Sequence, residues 1–354
     1  MKILYVAMKY NMGRPEQGLS YEHHNFYGTL TRMDNSRHEI IYFPFDEIML
    51  KIGKERMNRM LIKTVNENKP DLCFFELITH QILPDTIREI NESGNTVTFN
   101  WFTDDEWRFD IFSKYYAPLF DWVSTTDPAA IPKYLKIGHK NIIKTQWAFN
   151  QYEYVPDKSR QTSLHDVSFV GKAYGDRNYF INLIKNAGIN AYCRGIGWSS
   201  GRISQKDMIK LFSHSKINLN FSKVQKNITF TYLLGILINM DINGDIAVNN
   251  PREWLSRIKY FMEKRRNQVH GRVFEIPGCG GFMLTEYAEG LDDCYIDNKE
   301  IVVFRNAGEM IKKIGYYLNE DKERERIALA GYKRTIRDHT YEKRFKYIFN
   351  QIGL

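Results

Sequence analysis

The sequence predicts an α/β protein of two successive Rossmann-like units. Three observations carry this. Short runs rich in β-branched and aromatic residues alternate with longer amphipathic ones along the chain, the pattern of parallel α/β structure. A polar, aperiodic stretch at 151–163, containing Pro156, parts the alternation into two sets. The length of 354 residues also suits about two domains at roughly 150 residues each.

In the first set, strands are predicted at 2–8, 39–43, 71–76, 96–102, 122–125 and 142–146. A helix is predicted at 47–65, where Leu50, Met57, Leu61 and Val65 share one face, and a short one at 84–90, ended by Glu92-Ser93-Gly94. In the second set, strands are expected at 166–171, 190–195, 216–221, 281–285 and 300–304. Helices are expected at 176–187, 204–213, 252–266, 307–318 and 321–332, with a last one at 341–352. The predicted organisation is a first domain at 1–155, a second at 164–338 and a closing helical segment at 339–354. Ligands of such sheets bind at the carboxyl ends of the strands, so a cleft between two facing domains is the expected site.

Composition excludes several classes. The hydrophobic fraction of 43% and the charged fraction of 26% are those of a globular chain, not a disordered one. Cys73, Cys193, Cys279 and Cys294 are scattered and form no C-x-x-C pair, which argues against a zinc ribbon and fits a reducing compartment. The start MKILYVAMKYN lacks the apolar region and cleavage site of a signal peptide, and YLLGILINM (232–240) is too short to span a membrane. A cytoplasmic location is expected. The net charge of +8 fits either an ordinary basic enzyme or one with an anionic partner, whether nucleotide, nucleic acid, glycan or membrane.

Four stretches carry residues suited to chemistry. In GRVFEIPGCGGFMLTEY (271–287), a helix starting beside Gly271 is expected to leave free N–H groups for an anion, with Arg272 adding charge. Glu275 is an acceptor suited to both hydroxyls of a ribose, and Gly280-Gly281 make a tight turn. The alternative is a helix–turn–strand with a surface Glu. In SFVGKAYGDRNYF (168–180), a strand ends at Gly171 and a loop flanked by Lys172 and Arg177 leads to a helix capped by Asp176. This is either a phosphate cradle or a plain βα turn; neither the P-loop nor the G-x-G-x-x-G pattern is present.

In WFTDDEWRFD (101–110), Asp104, Asp105 and Glu106 follow a strand directly. Mutual repulsion raises carboxyl pKa values toward general-base range. Helix capping before a helix at 106–115, or a divalent metal, are the competing explanations. In NMGRPEQGLSYEHHNF (11–26), His23 and His24 are candidate bases, or simply solvated or capping residues. Two basic clusters, Arg252, Arg257, Lys259, Lys264, Arg265 and Arg266, and Lys333, Arg334, Arg337, Lys343, Arg344 and Lys346, read as solvated helix faces or as attractors of a polyanion such as DNA.

Taken with QGLSYEHHNFYGTL, FDWVSTTDPAAIPKYLKIG and AGYKRTIRDHTYEKRF, these stretches resemble the GT-B glycosyltransferases of the group-1 type, and most closely their spore-maturation CgeB-like branch. The resemblance spans nearly the whole chain. It implies GT-B architecture, with an acceptor-side first domain, a nucleotide-sugar donor domain second, and a closing helix that crosses back to the first. It also implies hexosyl- or pentosyltransfer to an acceptor hydroxyl. By likeness, Glu275 takes the ribose role. Gly271 and Arg272 meet the diphosphate, and Gly171, Lys172 and Arg177 face the same phosphates. Arg202 and Ile203 lie in the segment that reads the base, and Gly280 and Gly281 close the motif.

One departure is visible. The group-1 pattern has an acid eight residues before the ribose-binding Glu, and Asn267 stands there instead. Glu286 or an acid of the first domain is a candidate replacement. The stretch 223–268 is long for the branch and is a candidate for acceptor specificity. The expected catalytic groups are Asp105, then Asp104, with His23 as a further candidate. No cofactor and no obligatory metal are expected. The partners are a nucleotide sugar and an acceptor that is a glycan, small molecule, protein or modified nucleic acid. The rival expectation is a non-catalytic nucleotide or nucleic-acid binder on the same shell.

Overall fold

β1 (Lys2–Ala7), β2 (Glu39–Pro44), β3 (Leu72–Phe75), β4 (Val97–Phe102), β5 (Trp122–Thr125) and β6 (Ile142–Lys144) form one parallel sheet in the order β2-β1-β3-β4-β5-β6. The computed structural model describes residues 1–354 apart from 79, 95, 158, 160–164, 223–233, 235–236, 241–245, 252–253, 256–257, 259–261 and 263–265. Parallel strands covered on both faces read as continuous apolar runs, and KILYVA and LCFF do so. One face packs Leu4, Val6, Phe75 and Phe102 against Met57, Leu61 and Val65. On the other, Tyr5, Phe74 and Trp101 join Phe26, Tyr341 and Phe345 in an aromatic layer.

The helix expected at 47–65 is two helices, Phe45–Ile52 and Lys54–Asn68, parted at Gly53 with φ 82°. Glycine takes that left-handed value without a Cβ penalty, so the apolar spacing continues across a break.

The second sheet contains β7 (His165–Val170), β8 (Ala191–Arg194), β9 (Ser215–Asn220), β12 (Met283–Glu286) and β13 (Val302–Phe304), all parallel, in the order β13-β12-β9-β7-β8. Between them β10 (Ile238–Met240) and β11 (Ile246–Val248) pair antiparallel. The sequence did not predict this hairpin. Helices Arg177–Asn186 and Ala307–Asn319 cover one face, and Gln205–His214 and Arg272–Gly278 the other.

Two compact units result: Met1–Gln146 with Arg252–Tyr260 and Tyr341–Leu354, and Trp147–Pro251 with Phe261–Thr340. The second therefore begins earlier than the polar stretch suggested. Phe149 and Tyr154 are buried in its core, and the Phe149 N–H donates to the His339 carbonyl at 3.1 Å. Two aromatics in a polar segment outweigh its average polarity. Among the described residues, no helix is long and apolar enough to cross a membrane.

Candidate functional site

In the second sheet the chain passes from β7 to β8 on one side and then to β9 on the other. The carboxyl ends of β7 and β9 thus flank a topological switch point, where open α/β sheets bind ligands. Gly171 and Lys172 follow β7, Phe221 and Ser222 follow β9, and Glu286 closes β12. The Ser222 N–H donates to Glu286 Oε2 at 3.2 Å, and its hydroxyl donates to the Glu286 carbonyl at 2.8 Å.

The Gln268 N–H donates to the Ser222 carbonyl at 3.1 Å. Its side chain is buried, and among the described residues both ends of the amide lack a hydrogen-bond partner. Buried amides are normally paired, so Gln268 offers one acceptor and one donor group at this edge. Sequence reasoning missed it, because a lone Gln belongs to no motif. Its neighbour Asn267, at the departed acid position, donates its side-chain amide to the Tyr287 carbonyl.

The loops after β7 and β8 are zipped together. Gly171 N–H donates to the Arg194 carbonyl at 2.9 Å, Ala173 N–H to Ile196 O at 2.8 Å, and the Trp198 indole to Gly171 O at 2.8 Å. Gly195 allows the approach: it has φ 134°, and a Cβ there would lie 2.2 Å from Gly171 O. Gly195→Ala is expected to destabilise the unit by at least about 2 kcal/mol. A lower urea midpoint checks this, and an unchanged midpoint refutes the account.

Lys172 is exposed. Arg177 instead lies across the loop. It donates to the Lys172 carbonyl at 3.1 Å, and its guanidinium sits 4.7 Å from the Tyr174 ring centre and 5.6 Å from that of Phe169. Burial lowers its pKa. Arg202 is exposed, and its carbonyl accepts from Arg194; Ile203 packs on the core.

Gly271 precedes the helix Arg272–Gly278 as expected, but the free amides do not materialise at Val273 and Phe274. Their N–H groups donate to His270 O and Gly271 O at 3.0 and 2.9 Å, because the first turn is tight. Glu275 is fully buried. Its Oε1 accepts from the Tyr154 hydroxyl at 2.6 Å, and its Oε2 pairs with Arg272. The Arg272 side chain remains 32% exposed, so the buried carboxylate fixes a cation that reaches solvent. Gly280, at φ 75°, ends the helix, and a Cβ on Gly281 would lie 2.5 Å from Phe212 O. These two glycines shape the turn.

In the first unit, the three adjacent acids have three different situations. Asp104 is half-buried with φ 58°, and its side chain makes no capping bond. Its backbone carbonyl accepts from Trp107 and Arg108 at 3.1 and 3.0 Å. A left-handed non-glycine residue at a strand end is stored strain of the kind found at functional sites.

Asp105 is fully buried, held by Ser113 Oγ at 2.5 Å and Tyr134 OH at 2.6 Å. Burial raises its pKa to about 6 against those hydrogen bonds. Both oxygens are therefore committed inside the unit. Burial, then the Asp104 and Asp127 charges, push Glu106 up to about 8. Among the described residues no group of three or more His, Cys, Asp or Glu side chains is placed to hold a metal ion.

His23 sits among tyrosines: its Nδ1 lies 3.4 Å from the Tyr42 hydroxyl, and its ring 5.1 Å from that of Tyr27 and 5.6 Å from that of Tyr42. Of the first basic cluster, Arg252, Arg257, Lys259, Lys264 and Arg265 lie outside the described residues, and Arg266 pairs with Glu289 at 2.7 Å. In the second, Arg334 and Arg337 pair with Asp338 at 3.0 and 2.8 Å, and Lys346 with Asp34 at 2.7 Å. The two arginines thus share one carboxylate, while Lys346 meets both Asp34 and Glu342.

Comparison with known proteins adds the following. Residues 177–350 match the family model described as glycosyl transferase-like. The spore protein CgeB of Bacillus subtilis (strain 168) is 22% identical over 245 residues, which is 69% of this chain and 71% of that protein. Sucrose-phosphate synthase from Thermosynechococcus elongatus superposes with a TM-score of 0.64 at 8% identity, covering 99% of each chain. HepE of Anabaena, solved in complex with UDP, superposes with a TM-score of 0.57 at 10% identity, covering 100% of each chain. The two parallel sheets thus have the GT-B architecture, and with residues 177–350 matching the glycosyl transferase-like model the chain is a glycosyltransferase.

Proposed function

We propose that the enzyme binds a nucleoside diphosphate sugar at the carboxyl edge of the second sheet and transfers the sugar to an acceptor hydroxyl. The observation that carries this is the buried Glu275, which holds Arg272 with its side chain reaching solvent, in the same unit whose switch-point loop exposes Lys172. As the glycosidic C–O bond breaks, charge accumulates on the departing diphosphate. Fixed cations are worth most at that moment, because they need no reorganisation. Arg272 and Lys172 take this task, while Arg177 braces the loop that carries Lys172.

Glu275 acts first by positioning Arg272. Each carboxylate oxygen has two lone-pair sites, so ribose hydroxyls reach Oε1 by sharing it with Tyr154 or displacing its hydroxyl. Gln268 suits the hydroxyls of the transferred sugar. On the acceptor side, the proton lost by the attacking hydroxyl goes to Asp104, the acid at the end of β4 whose side chain is not committed to capping. Asp105 supports the local backbone instead. Structures of HepE with UDP and with UDP-glucose support a uridine donor as the first to test.

A thermal-shift screen against UDP-, GDP-, ADP-, CDP- and TDP-sugars tests the proposal. The matching donor at a hundredfold excess over its Kd adds about 2.7 kcal/mol of stability. It is also slowly hydrolysed, and hydrolysis survives EDTA because side-chain cations carry the charge. No shift and no hydrolysis with any donor would refute it.

A further inference from the structure

The first unit has a switch point of its own. The chain leaves β1 for β2 on one side and returns to β3 on the other, which opens the carboxyl ends of β1 and β3 to ligands. Glu76 stands there, directly after β3, with its N–H donating to Val6 O at 3.0 Å. Its carboxyl is fully buried, and neither oxygen has a hydrogen-bond partner among the described residues. Such a group has lost its solvation without compensation.

Side chains alternate along a strand, so Glu76 continues the face of Phe74, whose ring lies 5.6 Å from Tyr5 and 4.9 Å from Phe99. The Tyr5 phenol responds to the Glu76 charge. Trp101 shares the face, 4.9 Å from Phe26. Phe75 pairs with Asn100 in the β3–β4 register. Glu76 and Trp101 each follow by one residue and are neighbours across the strand pair. The Trp101 indole N–H is also fully buried and has no hydrogen-bond partner among the described residues. Glu22 and Asp104 disfavour the ionised Glu76, and Arg108 favours it. Asp104 and Arg108 are the half-buried members of this group.

An unmet indole N–H beside a carboxyl whose two oxygens are both unmet, and whose ionised form burial disfavours, is the complement of hydroxyls, each of which gives one hydrogen bond and takes others. An ammonium only donates and would leave the indole unmet. A phosphate would meet the acids with like charge. We propose that Glu76 and Trp101 form a subsite for a neutral polyhydroxylated acceptor, one hydroxyl accepting from Trp101 Nε1–H and donating to a Glu76 oxygen. Its place in catalysis rests on the sugar-transfer reading; its binding does not.

The test uses the full chain with its six tryptophans 15N-labelled, the Trp101 indole signal being identified by its loss in Trp101→Phe. Methyl α-glucoside, methyl α-galactoside, methyl α-mannoside, glycerol and glucosamine are titrated in turn. At least one neutral probe is expected to move the Trp101 signal saturably, and Glu76→Gln to weaken that response about tenfold or more. Glu76→Asp serves if the Gln variant does not fold. With the donor found above, Glu76→Gln is expected to raise the acceptor KM and lower the ratio of transfer to hydrolysis, rather than raise the donor KM. A signal moved by no probe, the result for a pocket that holds structural water only, or moved by glucosamine alone, overturns the subsite. A failed nucleotide screen with the Trp101 response intact would strike the proposed donor chemistry and leave the subsite standing.

Discussion

Glu275→Gln is expected to cut kcat/KM for the nucleotide sugar by about tenfold to a hundredfold, the worth of one charge-assisted hydrogen bond. The carboxylate sits out of solvent and holds Arg272 through Oε2. An amide keeps one oxygen acceptor for Arg272 but carries no charge, so the ion pair is lost and Arg272 is held less firmly. Glu275→Ala is expected to go further. It leaves the Tyr154 hydroxyl, a buried group, without its acceptor at 2.6 Å, and opens a void, for a stability loss of about 2–4 kcal/mol. Arg272 contributes less to that loss because it is partly exposed and rehydrates. Tyr154→Phe separates the two effects: it keeps the Glu275–Arg272 pair and should cost less than tenfold in kcat/KM. Steady-state kinetics with the donor identified by thermal shift, beside urea denaturation, gives both numbers. Glu275→Gln with kcat/KM within threefold of the parent would remove Glu275 from the site.

What was legible, and what was not, follows from the range of the contacts. Runs such as ILYVA and LCFF declare buried parallel strands because every residue is apolar, and all eleven strands of the two parallel sheets overlap segments the sequence marks as strands. FEIPGCGG marked Glu275 through its likeness to the group-1 pattern, while the ion pair with Arg272, three residues away on the same helix, was not read from the sequence. The hairpin of β10 and β11 escaped notice because YLLGILINM has no alternation to announce an edge strand. Asp105 read as a catalytic acid because nothing local shows Ser113 and Tyr134, eight and 29 residues on, closing over it. Glu76, Trp101 and Gln268 were invisible for the opposite reason. An unmet hydrogen bond is a property of everything around a side chain, and a sequence does not record what fails to arrive.

Stability of the first unit should fall as pH rises from about 6.5 to 8. Glu106 is held up at about 8 by burial and by Asp104 and Asp127, and Glu76 lies well above its ordinary value of 4.5 through burial and Glu22. In that window the unfolded chain has released these protons while the native form still binds them. The native state therefore holds more protons, and each rise in pH favours unfolding until the native carboxyl itself ionises. The effect of Glu106 alone is on the order of a few kcal/mol. Asp105, raised to about 6, has spent its share below this window. His80 and His139 act in the opposite sense. Burial lowers their pKa, so their part is a gain of stability with rising pH that is complete by about 6.5. Above that point the carboxyls act without this opposition. Glu106→Gln has no proton to lose and should flatten the fall, leaving the variant more stable than the parent at pH 8 and close to it at pH 4.5. Urea midpoints across this range measure the slope. A parent profile that stays level or climbs between 6.5 and 8, or a Glu106→Gln profile as steep as the parent's, would mean that these carboxyls are already ionised in the native fold, with water or a charge partner reaching them.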